Sequence, residues 1–224
     1  MSYICQYCKK SFVKESSLTV HSCEPRRRRQ EKDEAGVRVG FHAYLKFYEL
    51  TQGSTKTKTY DNFCESPYYK AFVKFGRYCV NTRVINPARF TEWVLKQNKK
   101  LDYWCSDKLY EEYLLFYLKV ETMEDALARA IEHTITWSEN KGSPSHDYLR
   151  YGNHNVITQA IVAGRISPWV LYNSESGQKF LSVMNTEHQA MVWPYIDPDV
   201  WTKKLKEDHA NCSAAQELLK KAGW

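Results

Sequence analysis

Residues Val156–Asn173, VITQAIVAGRISPWVLYN, contain two local signals from which the fold class of this chain can be predicted. Ser167 followed by Pro168 is typical of a helix start, because the serine side chain caps backbone N–H groups and proline fits the first helical turn. Gly164 ends the preceding apolar segment, since glycine readily takes the left-handed conformation found at turns. The stretch therefore predicts two helices that meet at a glycine corner.

The pairing of a capping side chain with proline recurs along the chain. It is found at Ser66-Pro67, Asn86-Pro87, Asp197-Pro198 and, as a further candidate, Ser143-Pro144. Thr122 and Ser106 are candidate caps without proline. Alternating Val, Ile and Thr runs are few, and no Asn-Gly or Asp-Gly hairpin signal is present. We expect a mainly α fold, with about ten short helices in an irregular multi-helix domain.

Apolar residues recur at helical spacing in two of the segments. The first stripe is Val37, Phe41, Tyr44, Leu45 and Tyr48, and the second is Tyr69, Phe72, Val73 and Gly76. Beside the second stripe, Lys70, Lys74 and Arg77 share another face of the helix, with aromatic residues between them. Such a face can follow a phosphate backbone and stack bases. The alternative is an ordinary solvated helix face next to a core.

Ala160, Gly164 and Val170 have the spacing of a helix-turn-helix unit. If this unit reads DNA, the second helix exposes Ser167, Trp169, Tyr172 and Asn173, and Arg165 at the turn contacts the nucleic acid. The alternative is a structural corner. It is favoured by Arg165, which stands where an apolar residue is usual, and by the bulk of Trp169 on the reading helix.

The N-terminal stretch CQYCKKSFVKESSLTVHSC, Cys5–Cys23, has the spacing of a small metal-binding module. Cys5 and Cys8 form a knuckle whose thiolates hold one side of a tetrahedral Zn²⁺ ion, and His21 and Cys23 complete the ligand set. A small apolar core comes from Tyr3, Phe12 and Leu18. A module of this size cannot fold on apolar burial alone, so metal binding and folding are expected to be one event.

Up to His21 this stretch resembles the zinc-finger family that holds zinc through two cysteines and two histidines. The resemblance implies a ββα module in which Cys23 replaces the second histidine. Residues i and i+2 lie about 200° apart on a helix, so His21 and Cys23 cannot both reach the metal from one continuous helix. We therefore expect the helix to unwind after His21 and Pro25 to stop it. The alternative is a chance cluster of cysteine and histidine.

Nucleic-acid binding is suggested by the residues around the finger. In the zinc-finger family, the base-reading positions of the helix correspond to Lys14, Ser17 and Val20, of which only Lys14 suits a base or phosphate. Arg26–Arg29 follow the last ligand closely, and four guanidinium groups suit phosphates through bidentate contacts and counterion release. Residues 1–33 hold a net charge of +4 out of +6 for the chain. The alternatives are a solvated linker, or a finger that docks on a protein.

The 224 residues suffice for one sizeable domain with a small appendage. We predict a finger at 1–25, a basic linker at 26–35 and an all-α domain at 36–224. Seven cysteines, without an apolar signal segment at the N-terminus, argue against a disulfide framework and for a reduced, cytoplasmic protein. No apolar run is long enough to span a bilayer, so we expect no membrane association.

Catalytic motifs are few. The chain lacks HExxH, GxxxxGK[ST], GxSxG and GxGxxG. His146 and His154, in SHDYLRYGNHN, could belong to a metal-dependent nuclease, but polar loop residues are the simpler explanation. The sequence favours a non-catalytic protein.

The finger with its His-x-Cys ending, together with SPYYKAFVKFGRY and GRISPWVLYNS, resembles a set of uncharacterised zinc-finger proteins of large T4-like tailed bacteriophages. This resemblance implies no activity. It favours action on phage nucleic acid, with DNA preferred to RNA, in transcription, replication or packaging within the host-cell cytoplasm. We therefore expect a zinc-dependent nucleic-acid-binding accessory protein. The alternative is a structural or assembly protein whose finger docks on a phage or host protein.

Overall fold

The computed structural model describes residues 2–53 and 58–224. Within these residues the chain forms fifteen α-helices and one antiparallel sheet of two strands, β1 (Tyr3–Ile4) and β2 (Ser11–Phe12). The helices are α1 (Glu15–Thr19), α2 (Glu24–Gln30), α3 (Ala35–Gln52), α4 (Tyr60–Glu65), α5 (Tyr69–Asn81), α6 (Pro87–Lys96), α7 (Asp107–Val120), α8 (Met123–Lys141), α9 (Tyr148–Tyr151), α10 (His154–Val162), α11 (Pro168–Asn173), α12 (Glu175–Val183), α13 (Thr186–Ile196), α14 (Pro198–Glu207) and α15 (His209–Lys221). The predicted mainly α fold with a small ββα segment at its N-terminus is confirmed.

Most of the predicted helix starts are present. The side chains that cap a helix as expected are those of Asn86, Thr122, Ser167, Asp197 and Ser106. Ser66 behaves differently, because its hydroxyl accepts from the backbone N–H of Tyr68 at 3.1 Å and α5 begins only at Tyr69. The Ser143-Pro144 pair leads into a short 3₁₀ turn without a side-chain cap, so this candidate start is wrong.

The chain divides into two compact units between Tyr113 and Leu114. The predicted boundaries of three domains, 1–25, 26–35 and 36–224, stay a prediction. Residues 26–35, which we expected as a linker, lie largely in α2 and in a 3₁₀ turn at Glu31–Asp33. Glu24 and Pro25 occupy the first turn of α2, where an acidic side chain and proline both favour helix formation.

In the first unit, α3 and α5 cross at three glycines. A Cβ atom on Gly76 would collide with the backbone oxygen of Gly36 and the backbone nitrogen of Gly40, so the two helices touch through their backbones. The predicted stripe on α5 is confirmed, since Tyr69, Phe72 and its other apolar members are buried. Aromatic rings fill the space around this crossing: Phe63, Phe72, Phe75, Phe90 and Trp104 are almost fully buried.

In the second unit, α10 and α11 form the predicted glycine corner. Gly164 has φ +68°, and the backbone N–H of Arg165 donates to the carbonyl of Ala160 at 2.7 Å. The reading face that the DNA-binding alternative requires is not exposed, however. Ser167, Trp169 and Asn173 are buried, because α11 has only six residues and packs within the core, where Trp169 meets Trp201 edge to face. The unit is therefore a structural corner.

A buried ion pair fixes this corner. Glu121, with a fully buried side chain, accepts from Arg129 Nη2 at 2.6 Å and from Ser167 Oγ at 2.6 Å. Arg129 Nε in turn donates to the carbonyl of Gly164 at 2.7 Å. The pair links α8 to both sides of the turn between α10 and α11, so each charge is compensated and hydrogen-bonded, as burial of charge requires.

Candidate metal centre and basic clefts

A tight hairpin brings Cys5 and Cys8 together. Cys5 follows β1, and its backbone N–H donates to the carbonyl of Lys10 at 2.9 Å. Lys9 closes the turn with φ +61°, and its N–H donates to the carbonyl of Cys5 at 2.8 Å. The two strands that flank this turn pair with Tyr3 opposite Phe12. The knuckle predicted from the Cys-x-x-Cys spacing is therefore present at the end of a paired hairpin.

His21 and Cys23 approach the knuckle from a stretch of non-helical chain. α1 ends at Thr19, so His21 already lies beyond the helix, and Cys23 has the extended conformation of an N-cap residue. The helix was expected to end after His21, with Pro25 as the stop; both details are wrong. Pro25 instead lies in the first turn of α2. Since neither ligand lies on a helix, the 200° separation of helical i and i+2 positions places no constraint on them.

The four side chains form one cluster that can hold a metal ion. Their candidate ligand atoms all lie within 4.8 Å of one another. Cys5 Sγ is 3.9 Å from Cys23 Sγ, and Cys8 Sγ is 3.2 Å from His21 Nε2. With metal–sulfur bonds of about 2.3 Å, two thiolates of a tetrahedral ion lie about 3.8 Å apart. The donor set and its spacing therefore fit a four-coordinate metal ion.

The thiols of the cluster have different environments. The backbone N–H of Cys8 hydrogen-bonds the sulfur of Cys5 and, with smaller contributions from Tyr7 and the neighbouring thiols, lowers the pKa of Cys5 to about 7. Partial burial raises the pKa of Cys23. Cys5 is therefore a stronger acid than Cys23. Because a metal needs thiolates, binding at this cluster releases protons.

The arginine run of α2 makes contacts within the chain. Arg26 Nη1 donates to the carbonyl of His21 at 2.7 Å. Arg28 donates to the carbonyl of Cys64 at 2.7 Å and to Glu24 at 2.6 Å, and its guanidinium lies 4.6 Å from the centroid of the Tyr69 ring. These contacts attach α2 to the finger on one side and to the α4–α5 region on the other.

Arg29 and Arg27 differ in side-chain exposure and in how closely they pair with acidic residues. Arg29 pairs with Asp61 at 2.8 Å and with Glu65 at 3.1 Å, and 24% of its side chain is exposed. Arg27 has 61% of its side chain exposed and is paired only loosely, with Glu31 at 3.6 Å. Of the four arginines, Arg27 is thus the most available to a ligand.

The structure brings α2 and the basic face of α5 together. Arg27, Lys70, Lys74 and Arg77 line one cleft of about 810 Å³, which we call the α2–α5 cleft. Two segments that the sequence predicted as separate contacts therefore share one surface. Lys14 lies apart from this cleft, exposed at the start of α1.

Acidic side chains offset part of the positive charge of the α2–α5 cleft. Glu34 forms two hydrogen bonds of 2.7 Å with Arg77, which lower the pKa of Glu34. Glu24 pairs with Arg28 and, at 3.3 Å, with Lys70, and Arg28 is the main cause of the lowered pKa of Glu24. Lys74 forms no ion pair within residues 2–53 and 58–224.

The two units differ in net charge. Residues 1–113 contain twenty-one lysines and arginines against thirteen acidic residues, a net charge of +8, whereas residues 114–224 have a net charge of −2. The sequence analysis placed most of the positive charge in the finger and in the residues that directly follow it. The excess of positive charge in fact extends over the whole first unit, to residue 113. The basic residues of the first unit include Lys99, Lys100 and Lys108. The sequence analysis did not select these lysines, although they lie on either side of an aromatic residue, Tyr103, in the sequence.

The remaining predicted site residues lie in the second unit. Arg165 is half-buried at the glycine corner. His154, from the nuclease alternative, packs against Phe180, and His146 lies 3.8 Å from Asp147. Among the described residues, the finger holds the only group of three or more potential ligand side chains that could bind a metal.

No family model matches the chain, and no curated protein or solved structure matches it either. None of the helices in the described part of the chain is long and apolar enough to cross a bilayer.

Proposed function

We propose that this protein is a zinc-dependent nucleic-acid-binding accessory protein without a catalytic role. One observation carries the proposal: Cys23 is both the fourth candidate ligand and the N-cap residue of α2, and α2 forms a wall of the basic α2–α5 cleft. Metal binding at the finger would therefore fix the position of that wall.

Zinc would have a structural role. Three thiolates and one imidazole in tetrahedral spacing suit Zn²⁺, and a site closed by four protein ligands leaves no position for a substrate. Cys5, Cys8, His21 and Cys23 would hold the ion. The apolar core of the finger is small, so the ion would supply most of the free energy that orders the hairpin and the start of α2.

The cations would divide into two groups. Arg27, Lys70 and Lys74 in the α2–α5 cleft would contact phosphates, since their side chains are exposed and only loosely paired or unpaired. Arg26, Arg28 and Arg29 would mainly position α2, and Arg77 is held by Glu34. Lys14 and Arg165 remain candidate contacts outside the cleft. By the resemblance to phage proteins, the ligand would be phage DNA rather than RNA, bound during transcription, replication or packaging in the host-cell cytoplasm.

A second candidate function is docking of the finger on a phage or host protein. Val13 is 88% exposed and Val20 is 81% exposed, and both flank α1. Apolar side chains on such a small module can serve as anchors for a partner. In this case the protein would be a structural or assembly component.

A salt titration separates the two functions. We would measure binding of a labelled DNA duplex to the zinc-loaded protein by fluorescence anisotropy at several salt concentrations. In the variant Arg27→Gln/Lys70→Gln/Lys74→Gln, the slope of log K against log salt should fall by about 0.9 for each phosphate that is no longer neutralised. The control variant Lys141→Gln/Lys206→Gln/Lys220→Gln removes three exposed lysines from the other unit and should leave the slope unchanged. If the parent protein binds neither this duplex nor single-stranded nucleic acid, or if both variants keep the parent slope, protein docking becomes the better account.

A further inference from the structure

The connection between α6 and α7 presents an exposed aromatic ring on a rigid support. Leu101–Tyr103 form a 3₁₀ turn, and Trp104 directly after it is almost fully buried. The indole N–H of Trp104 donates to the carbonyl of Lys99 at 3.0 Å, and its ring packs edge to face on Phe75 with 5.2 Å between centroids. The turn is therefore fixed to the aromatic core of the first unit.

Tyr103 is the exposed counterpart of Trp104. Its side chain is 66% exposed, although a tyrosine ring is normally buried for a large part. It lines a cleft of about 690 Å³ together with Lys99, Lys100 and Lys108, which we call the Tyr103 cleft. The three lysines are exposed. None of them forms an ion pair with any residue that the structure describes, and the acidic side chains in the lining are Asp102 and Glu112.

This combination suits single-stranded nucleic acid. A base stacks on an exposed aromatic ring irrespective of its identity, and flexible ammonium groups follow the phosphates on either side. The bases of a duplex are stacked on one another and cannot reach the face of Tyr103. A protein partner would require a larger apolar centre, whereas Tyr103 is the one large apolar side chain exposed among the residues that line this cleft.

The Tyr103 cleft adjoins the α2–α5 cleft. Cys105 belongs to the lining of both, so the two clefts meet at this residue. A strand whose base stacks on Tyr103 can therefore continue towards Lys74 and the wall formed by α2. The two surfaces together make one basic path within the first unit.

We propose that the Tyr103 cleft binds single-stranded nucleic acid, with a base stacked on Tyr103 and phosphates held by Lys99, Lys100 and Lys108. This inference rests on the proposed function, because it specifies where and in which form the nucleic acid is bound.

The test uses the full-length, zinc-loaded protein and three labelled probes of about 15 nucleotides, a length that matches the upper range of known single-strand sites. The probes are oligothymidylate, oligouridylate and a DNA duplex, and binding is measured by fluorescence anisotropy. Tyr103→Ala should weaken binding of the single strands by roughly tenfold, and Tyr103→Phe should stay within about twofold of the parent because stacking is kept. Tyr151→Ala, at a tyrosine 75% exposed in the other unit, is the matched control and should change nothing.

The lysines give a second readout. Lys99→Gln/Lys100→Gln should reduce the salt slope on single strands by about 0.7 for each phosphate that is no longer neutralised. Binding of either single strand that Tyr103→Ala weakens supports the proposal, and the strand that is bound more tightly identifies the sugar. If the parent binds single strands but Tyr103→Ala binds equally well, the stacking site is wrong while the proposed function stands. If the parent binds none of the three probes, the proposed function itself fails.

Discussion

Cys23 connects the candidate metal site to the rest of the molecule. Its sulfur lies 3.9 Å from that of Cys5, and its extended backbone begins α2 two residues after His21. A later second histidine would have kept the chain in the finger helix for longer. A cysteine after a single intervening residue, Ser22, lets the chain leave the finger at once, so the last candidate ligand is also the residue from which α2 starts.

Replacement of Cys23 by serine tests its role as a ligand. Serine suits the N-cap position of α2 but removes the thiolate, so we expect the affinity for zinc to fall by at least about tenfold while the helical content stays that of the parent. Competition with a chromophoric chelator measures the affinity, and circular dichroism measures the helix. Cys105→Ser is the control, since Cys105 lies outside the metal cluster. Equal zinc affinity in Cys23→Ser and the parent would exclude Cys23 as the fourth ligand.

The contribution of the buried Glu121 carboxylate to stability can also be tested by substitution. Glu121→Ala leaves Arg129, whose side chain is only 12% exposed, without its partner, and should lower the free energy of unfolding by about 3–5 kcal/mol. Glu217→Ala breaks an exposed pair with Lys221 and should cost at most about 0.5 kcal/mol. Urea unfolding monitored by tryptophan fluorescence measures both. A similar, small loss in the two variants would mean that the buried pair does not stabilise the corner.

At the scale of helices, α2 was not predicted from the sequence, since residues 26–35 were expected to be a linker. The run Arg26–Arg29 is visible as charge, but four successive residues lie on all sides of a helix, so the sequence cannot say which of them face solvent. The answer depends on Cys64, Asp61 and Tyr69, which become neighbours only in the folded unit. Helix starts were better predicted, because a cap and its proline act within a few residues.

The two kinds of arginine on α2 should respond differently to mutation. Arg28→Gln/Arg29→Gln removes hydrogen bonds to a carbonyl and to carboxylates and should lower the free energy of unfolding by about 1–3 kcal/mol. Arg27→Gln should leave stability within about 0.5 kcal/mol of the parent but weaken nucleic-acid binding. Chemical denaturation and anisotropy give the two readouts. A stability loss at Arg27 equal to that of the double variant would contradict the assignment.

At the crossing of α3 and α5 the two helices are so close that no side chain fits between their backbones. Gly76→Ala would press a methyl group into the backbone of Gly36 and Gly40, which cannot rotate away as a side chain can. We expect a loss of at least about 3 kcal/mol in the free energy of unfolding. Lys74→Ala, exposed on the same helix, should stay within about 0.5 kcal/mol of the parent. If Gly76→Ala costs less than about 1 kcal/mol, the helices are not in backbone contact.

At the scale of the whole chain, local patterns predicted the helical class and the four metal-binding candidates, whose spacing is short enough to be read directly. They did not predict how charge is divided between the units, because that requires the boundary at Tyr113 and Leu114. They also left open whether Trp169 is exposed on a reading helix or lies in a structural corner. It is buried because Trp201, thirty-two residues later, packs against it. Contacts of this range leave no periodic signal in the sequence.

By the proposed function, a metal at the finger would hold the basic surface of the first unit in its binding form. The most direct test is to measure nucleic-acid binding and its salt slope on the same preparation, first loaded with zinc, then stripped with a chelator, then reloaded. We predict about one zinc per chain, weaker binding with a shallower salt slope after stripping, and full recovery on reloading. An unchanged affinity and slope in the stripped protein, with zinc absent by elemental analysis, would contradict the claim.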